Sequence, residues 1–273
     1  MTDAAPTPEG DPIAAAGRAA AELAELTGAP THDIALVLGS GWLPAVDLLG
    51  ETVAELASTE LNGFAPPADS GHAGRLRSIT TSSGSRALVL LGRTHLYEGR
   101  GVDAVVHGVR TASAAGCRTI VLTNGCGGLD PQWTPGTPVL ISDQINMTGT
   151  SPLHGATFID LSDLYSPRLR SLCREIDPTL AEGVYLQFPG PQYETPAEVR
   201  MAGILGADLV GMSTTLEAIA AREAGMEILG LSLVTNLAAG MTGEALNHEE
   251  VLAAGTLAAE RMGDLLATVV GRL

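Results

Sequence analysis

The chain has 273 residues, of which 15 are basic and 31 acidic, and its formal net charge at pH 7 is −16. This balance disfavours nucleic-acid binding, which depends on neutralising phosphates with basic side chains, and no apolar stretch is long enough to predict a membrane span. The three cysteines show no CxxC spacing, which argues against a zinc site or a disulfide framework, so we expect a cytoplasmic protein.

The order of the predicted elements indicates an α/β protein. Residues 1–11 are polar and contain proline, and we expect a disordered tail there. An alanine-rich helix is predicted over 12–27, since Pro12 suits a first turn and Gly28 a helix end. Apolar runs typical of buried parallel strands follow at 34–38, 87–91, 119–123, 139–142, 184–187 and 228–234. Helical patterns occur at 102–115, 167–175, 196–205, 214–224 and 248–266.

This alternation predicts one domain over residues 12–273, with a twisted mixed, mainly parallel β-sheet flanked by helices. Polar or glycine-rich clusters follow five of the strands. In such sheets, binding sites form where strands end at their carboxyl edge. The sequence therefore predicts a site built from the clusters at 39–42, 92–99, 124–128, 211–214 and 235–236.

Arg93 and His95 form the most specific of these clusters. In an extended segment they project to the same side, where a guanidinium and an imidazole can hold a tetrahedral oxyanion. A surface arginine beside a structural histidine is an equally good interpretation of the pair alone. Cys126 shows no local signature of an activated thiolate, so we do not expect it to be a nucleophile.

Tyr193 and Glu194 precede the helix predicted at 196–205. Tyr193 is able to stack on a flat ring, and Glu194 to accept ring N–H bonds. The alternative is an ordinary helix N-terminus with acid in its first turn. Considered alone, His248 is a neighbour of a helix cap. The whole set suits phosphate plus a nucleobase better than acyl transfer.

The motifs resemble those of the homotrimeric purine nucleoside phosphorylases that are selective for 6-oxopurines. The likeness runs from about residue 34 to the C-terminus. Its motifs are GSG (39–41), GHAGR (71–75), GRTHLYEG (92–99), TNGCGGL (123–129), GPQYET (190–195), VGMST (210–214), TN (235–236) and NHEEVL (247–252). The resemblance implies the same α/β fold, with phosphate and a purine nucleoside as substrates.

The resemblance also implies a role for each matching residue. Phosphate is held by Ser40, Arg93, His95, Ser213 and the backbone of Gly125, and His72 closes over it on a loop. The ribose lies against Tyr97 and Met212, with His248 near its 5′-hydroxyl and Phe158 donated by a neighbouring subunit. The purine contacts Tyr193, Val210 and the 125–127 segment, while Glu194 accepts its N1–H and Asn236 bonds N7 and the 6-oxo group.

The implied reaction is reversible phosphorolysis of inosine, guanosine and their 2′-deoxy forms, with no metal or organic cofactor. Asn236, Glu194, His95 and His248 are then the catalytic residues. One departure is Gly125-Cys126, where many relatives have two alanines, and we expect the added room to loosen the site.

Three alternatives remain open at this stage. Methylthioadenosine phosphorylases prefer 6-amino purines, but they generally carry an aspartate near the Asn236 position. A non-catalytic nucleoside-binding paralogue is disfavoured because the implied catalytic residues are all present. A hydrolase that uses water is disfavoured because no aspartate-rich calcium site is visible.

Overall fold

The computed structural model of the chain describes residues 10–66, 74–241 and 248–273, and in the last helix it includes side chains at residue 258 and from residue 260 onward. The strands are β1 (Ile34–Leu38), β2 (Glu51–Ala57), β3 (Arg75–Thr80), β4 (Arg86–Leu91), β5 (Thr119–Gly128), β6 (Pro138–Asn146), β7 (Ala181–Gln187), β8 (Leu209–Gly211) and β9 (Glu227–Leu237). The helices are α1 (Pro12–Thr27), α2 (Val102–Ala114), α3 (Pro167–Ile176), α4 (Pro196–Ile204), α5 (Thr215–Glu223) and α6 (His248–Val270). Short 3-10 helices lie at Leu43–Leu48, Ser58–Glu60 and Leu96–Glu98.

The strands of the described residues form one mixed sheet in the order β2-β3-β4-β1-β5-β8-β7-β6-β9. Because β9 also pairs with β5, five of the strands form a closed barrel: β5, β8, β7, β6 and β9. β1 is parallel to β4 and β5, β5 is parallel to β9, and β7 is parallel to β6 and β8. The remaining pairings are antiparallel. The predicted fold class is confirmed.

β1 shows why the central strands are unbroken apolar runs. All five of its residues are buried, and alternate side chains face opposite sides of the sheet. Ala35 and Val37 pack in the core that includes α1, α2 and α5, whereas Leu36 and Leu38 pack in the core that includes α3 and α6. A strand covered by helices on both faces has no polar side to alternate with.

The hairpin of β2 and β3 was not among the predicted strands. The first three residues of β2 are exposed, and Arg75 and Arg77 of β3 pair with Glu55 across the two strands. These strands lie at the edge of the sheet, with β2 outermost. A charged edge strand lacks the apolar run by which the buried strands were recognised.

The prediction that residues 124–128 and 235–236 follow their strands was wrong. They lie inside β5 and β9, because the carboxyl half of β5 pairs with β8 on one side and with β9 on the other. Cys126 lies opposite Val234, but Gly127 lies opposite Asn236, which leaves Thr235 as an extra residue. Such a bulge changes the direction of the side chains that follow it, and it falls next to Asn236.

Gly230 tests how tightly the sheet packs. A Cβ there would lie 2.6 Å from Cε1 of Tyr165 and 2.8 Å from Cβ of Ile141. We expect Gly230→Ala to lower the free energy of unfolding by about 1–3 kcal/mol, as for other overpacked cores. Gly17→Ala on the exposed side of α1 is the control. It meets nothing within 4 Å and should be neutral or raise stability by up to about 1 kcal/mol. Equal urea midpoints for the two variants would contradict the packing described.

Candidate active site

The loop after β1 lies directly on β5. The backbone N–H of Gly39 donates to Oγ1 of Thr123 at 3.0 Å, and Nε1 of Trp42 donates to the carbonyl of Asn124 at 2.8 Å. These bonds bring Ser40 against Gly125. A Cβ on Gly125 would lie 3.2 Å from the carbonyl oxygen of Ser40 and 3.1 Å from Cγ2 of Thr235. The expectation that Gly125 adds room is therefore wrong, since its neighbours already fill the space.

Arg93 is the buried cation of this region. Its side chain is 3% exposed, Nη1 donates to the carbonyl of Thr123 at 2.6 Å, and Nε lies 3.0 Å from Oε2 of Glu217. Nη2 is buried and has no hydrogen-bond partner among the described residues. Gly39 makes this position possible, because a Cβ there would lie 2.4 Å from Nη1. Buried donors nearly always have partners, so an unpaired guanidinium nitrogen indicates an anion site.

Ser213 is linked to Arg93 through Thr214, which belongs to the predicted cluster at 211–214, and through Glu217, which the sequence analysis missed. Oε2 of Glu217 accepts the backbone N–H of Thr214 at 2.9 Å, and Oγ1 of Thr214 accepts from Nδ2 of Asn124 at 2.9 Å. Among the described non-glycine residues only Thr214 has a positive φ, at 78°. Thr214-x-x-Glu217 is a capping-box pattern. That pattern indicates where α5 starts but not that Glu217 reaches Arg93.

Tyr97 and Met212, two of the predicted ribose-binding residues, lie near the same glycine, and Tyr97 also contacts His95. The rings of His95 and Tyr97 stack with their centroids 4.7 Å apart. A Cβ on Gly190 would lie 2.5 Å from Sδ of Met212 and 3.0 Å from Cδ1 of Tyr97. The segment before α4 thus contacts both side chains.

The predicted base-binding residues come from β8, β9 and the segment before α4. A Cβ on Gly127 would lie 3.2 Å from Cγ2 of Val210. On β9, Oδ1 of Asn236 accepts from Oγ1 of Thr235 at 2.9 Å, and its Nδ2 donates to the carbonyl of Leu237 at 2.9 Å. A Cβ on Gly240 would lie 2.7 Å from Cβ of Pro196. The chain after Asn236 is therefore packed against the start of α4, next to Tyr193 and Glu194.

Glu194 is an acid at this end of the site that pairs with no cation among the described residues. Oε1 of Glu194 is buried and has no hydrogen-bond partner within the described part of the chain. Burial disfavours the charged form and raises the pKa of this carboxyl. An unpaired buried acceptor suits a ligand that offers an N–H group. Tyr193 beside it is 41% exposed.

Three predicted residues are not brought into the cluster by described contacts. Phe158 is 92% exposed on the loop between β6 and α3. His72 lies outside the described residues, as do residues 1–9 of the predicted tail. α6 begins at His248, whose side chain also lies outside the description.

Cys126 lies within the glycine-rich part of β5, but it is chemically inert. It is 3% exposed, and its Sγ lies 3.5 Å from the carbonyl of Leu233. Burial raises the pKa of its thiol to about 12. A thiol with such a pKa carries almost no thiolate at neutral pH, which confirms the prediction that Cys126 is not a nucleophile.

Comparison with known proteins identifies the family. The model of the phosphorylase superfamily matches residues 33–271. The chain is 62% identical over 269 residues to a purine nucleoside phosphorylase of Cellulomonas, covering 97% of this chain and 95% of that protein. It is 59% identical over 265 residues to a purine nucleoside phosphorylase of Mycobacterium tuberculosis, covering 97% and 98% of the two proteins.

A solved structure supports the same assignment. The fold matches isoform 2 of the purine nucleoside phosphorylase of Schistosoma mansoni in complex with cytosine and ribose-1-phosphate, with a TM-score of 0.87 and 29% identity. The match covers 95% of this chain and 96% of that one. The chain therefore belongs to the phosphorylase superfamily. Within it, the chain is similar over nearly its whole length to purine nucleoside phosphorylases, which confirms the predicted resemblance to purine nucleoside phosphorylases.

No described helix is both long and apolar enough to cross a membrane.

The raised pKa of Glu194 predicts how the stability of the fold depends on pH. Because the folded state binds the proton of Glu194 more tightly than the unfolded state, the resulting stabilisation is complete below the unfolded pKa and is lost as the pH rises through the folded pKa. Glu194→Gln keeps a neutral group at all pH values. We expect the variant to unfold at higher urea concentration than the parent at pH 7, with the difference vanishing below about pH 4.

Glu198→Gln is the matched control, because this acid lies in the first turn of α4. Bonds from the backbone N–H and hydroxyl of Thr195 lower the pKa of Glu198. Its ionised form therefore stabilises the fold above the unfolded pKa, and Glu198→Gln should lower stability at pH 7. If Glu194→Gln lowered stability at pH 7 as Glu198→Gln should, the raised pKa of Glu194 would be contradicted.

Proposed function

We propose that the chain is a pentosyltransferase that catalyses reversible phosphorolysis of inosine, guanosine and their 2′-deoxy forms. Phosphate attacks C1′ of the sugar, the bond from C1′ to the purine breaks, and the base leaves with the bonding electrons and takes up a proton. The products are the free purine and (deoxy)ribose 1-phosphate. The observation that carries the proposal is a glycine-lined site with an unpaired buried guanidinium nitrogen on Arg93 and an unpaired buried carboxylate oxygen on Glu194.

In this proposal phosphate is bound by Nη2 of Arg93, the hydroxyls of Ser40 and Ser213, His95 and the backbone of Gly125. The burial of Arg93 supports this role, since a charge-assisted bond gains strength away from water. His72 is the remaining phosphate ligand of this proposal. Phosphate is a substrate, and the reaction requires no metal or organic cofactor.

The ribose lies against Tyr97 and Met212, with His248 at its 5′-hydroxyl. The purine stacks on Tyr193 and rests on Val210 and the 125–127 segment. Glu194 accepts N1–H, while the amide of Asn236 bonds N7 and the 6-oxo group. Negative charge develops on the purine as the bond to C1′ breaks, so the bond from Asn236 strengthens in the transition state.

The same residues account for selectivity toward 6-oxopurines. Adenine has no N1–H, so it would leave the carboxylate of Glu194 buried and unpaired. A site built to bond an N–H group rejects the analogue that lacks it, because the unpaired partner keeps its full desolvation cost.

We further propose a cytoplasmic homotrimer in which Phe158 covers the ribose of the neighbouring subunit. The loop that carries Phe158 is anchored while its tip is exposed. Nη2 of Arg110 donates to the carbonyl of Pro152 at 2.8 Å, and Arg222 pairs with Asp163 at 2.7 Å. A fixed loop that presents a 92% exposed aromatic side chain supports a contact outside its own chain. The three described cysteines, all free thiols, suit a reducing compartment.

The first test is an ultraviolet assay of inosine and adenosine cleavage, each with and without inorganic phosphate. We expect hypoxanthine release from inosine only when phosphate is present, and adenosine cleavage at least about 100-fold slower. Cleavage without phosphate would favour a hydrolase. Equal cleavage of adenosine would overturn the selectivity, and binding without turnover would favour a non-catalytic paralogue.

Asn236→Ala tests the leaving-group role. We expect kcat for inosine to fall by about 100- to 1,000-fold, the usual effect of removing one transition-state donor, with little change in the KM for phosphate. Asn236→Asp should shift the preference toward adenosine. Asn62→Ala, at an exposed asparagine between β2 and β3, is the control. Near-normal kinetics of Asn236→Ala would remove this residue from catalysis.

Phe158→Ala tests the donated contact. The variant should raise the KM for inosine, because its sites lack the covering ring. Co-expression with Asn236→Ala should restore a population of sites with normal KM, in which an intact Asn236 meets Phe158 from the other variant. Ile13→Ala, which shortens another exposed apolar side chain, should leave KM unchanged. Failure of the mixture to recover normal KM would mean that Phe158 does not act between subunits.

A further inference from the structure

Glu217 is buried as deeply as the arginine that it contacts. Both side chains are 3% exposed, and Nε of Arg93 lies 3.0 Å from Oε2 and 3.1 Å from Oε1 of Glu217. The second bond of Arg93 goes to the carbonyl of Thr123, so Nε and Nη1 are both occupied. Nη2 is the nitrogen of Arg93 that has no partner among the described residues. The pair with Glu217 therefore selects which edge of the guanidinium faces an anion.

The position requires a carboxylate and not merely a polar side chain. Two N–H donors face Glu217, namely Nε of Arg93 and the backbone nitrogen of Thr214 at 2.9 Å. Glutamine has one carbonyl oxygen and one NH2 group. Whichever way its amide turns, the NH2 group faces a donor. Glutamine therefore sets its NH2 group against one of the two donors and weakens that contact, although its size is almost the same.

The second contact leads to another part of the anion site. Thr214 has a positive φ of 78°, which is strained for a residue with a branched side chain. Its N–H bond to Glu217 and the bond that its Oγ1 accepts from Nδ2 of Asn124 hold it there. Ser213 precedes it, and its Oγ lies 3.2 Å from Oγ1 of Thr214. Glu217 thus contacts Arg93 directly and reaches Ser213 through Thr214.

Space is available for Arg93 to move when Glu217 is lost. A cavity of about 60 Å³ borders the pair on its apolar side, where Val37, Leu90 and Val105 form part of the wall. An arginine released from Nε has room to shift toward this cavity. Loss of the ion pair between Arg93 and Glu217 should therefore displace Arg93 and disorder the anion site. It should not leave the guanidinium in place to bind phosphate more tightly.

We propose that Glu217 is a positioning residue for phosphate: it locks Arg93 with Nη2 free and fixes the Ser213-Thr214 turn at the start of α5. The inference rests on the proposed function for the identity of the anion. It is separate from the predicted phosphate ligands, because both oxygens of Glu217 already accept bonds from Arg93 and Thr214.

Glu217→Gln is the test variant, and steady-state kinetics with inosine and phosphate are the readout. We expect the KM for phosphate to rise at least about tenfold, equivalent to the loss of one charge-assisted hydrogen bond. The KM for inosine should stay within about twofold. Glu217→Asp keeps both acceptor oxygens and should recover part of the loss. Glu175→Gln, at an exposed glutamate of α3, is the control and should match the parent protein.

Three results would overturn the proposal. An unchanged KM for phosphate would make Glu217 purely structural. A lower KM for phosphate would make it a counterion that competes with the substrate. Equal rises in both KM values would mean general damage to the site. If Glu217→Gln does not fold, Glu217→Asp decides, since it must then raise the KM for phosphate selectively.

Calorimetric titration of inorganic phosphate separates this inference from the proposed function. We expect phosphate to bind the parent protein and to bind Glu217→Gln at least about tenfold more weakly. If the parent protein binds phosphate but cleaves no nucleoside, the proposed reaction fails and the role of Glu217 stands. If both proteins bind phosphate equally, the role of Glu217 fails whatever the reaction.

Discussion

The close approach of three neighbours to the carboxyl half of β5 is the constraint on which the site depends. A Cβ atom added at Gly125, Gly127 or Gly128 would lie 3.1 or 3.2 Å from the nearest atoms of neighbouring residues. That is about as close as two heavy atoms pack. Without those Cβ atoms, the loop after β1, strand β8 and strand β9 all converge on one stretch of backbone. The site is the space that remains between them, and its polar groups come from those three neighbours and from Arg93.

Two buried atoms without partners mark the ends of this space, and their energetics differ. The charge of Arg93 is balanced by Glu217, and Nη2 is its nitrogen without a partner among the described residues. Glu194 has no such counterion within the described part of the chain, and burial raises the pKa of its carboxyl. A ligand that offers an anion to one end and an N–H group to the other satisfies both. Each unpaired atom lowers the stability of the free protein and adds to the binding energy of such a ligand.

The sequence predicted those elements whose cause is local. β1 has the predicted bounds, and α4 begins at Pro196 as expected, because apolar runs and capping residues lie within the segment itself. The hairpin of β2 and β3 carries its charges on an exposed edge and gave no such signal. The bulge at Thr235 depends on the register between β5 and β9, and the contact between Arg93 and Glu217 joins residues 124 positions apart. Motif resemblance found the residues expected to touch ligand, but not the residue that orients them.

A buried charged residue, Arg110, also fixes the loop that carries Phe158 at the surface. An exposed phenylalanine alone needs no explanation, but the burial of Arg110 does, because a guanidinium loses its hydration when it is covered. Its side chain is 3% exposed, and it bonds Asp103 on its own helix and the carbonyl of Pro152 in the loop. The desolvation cost is thus offset partly by contacts that fix the loop, while no described contact buries its aromatic tip. In the proposed function, the residues at the phosphate and base ends of the site come from one chain, whereas the anchored loop presents Phe158 to a neighbouring subunit.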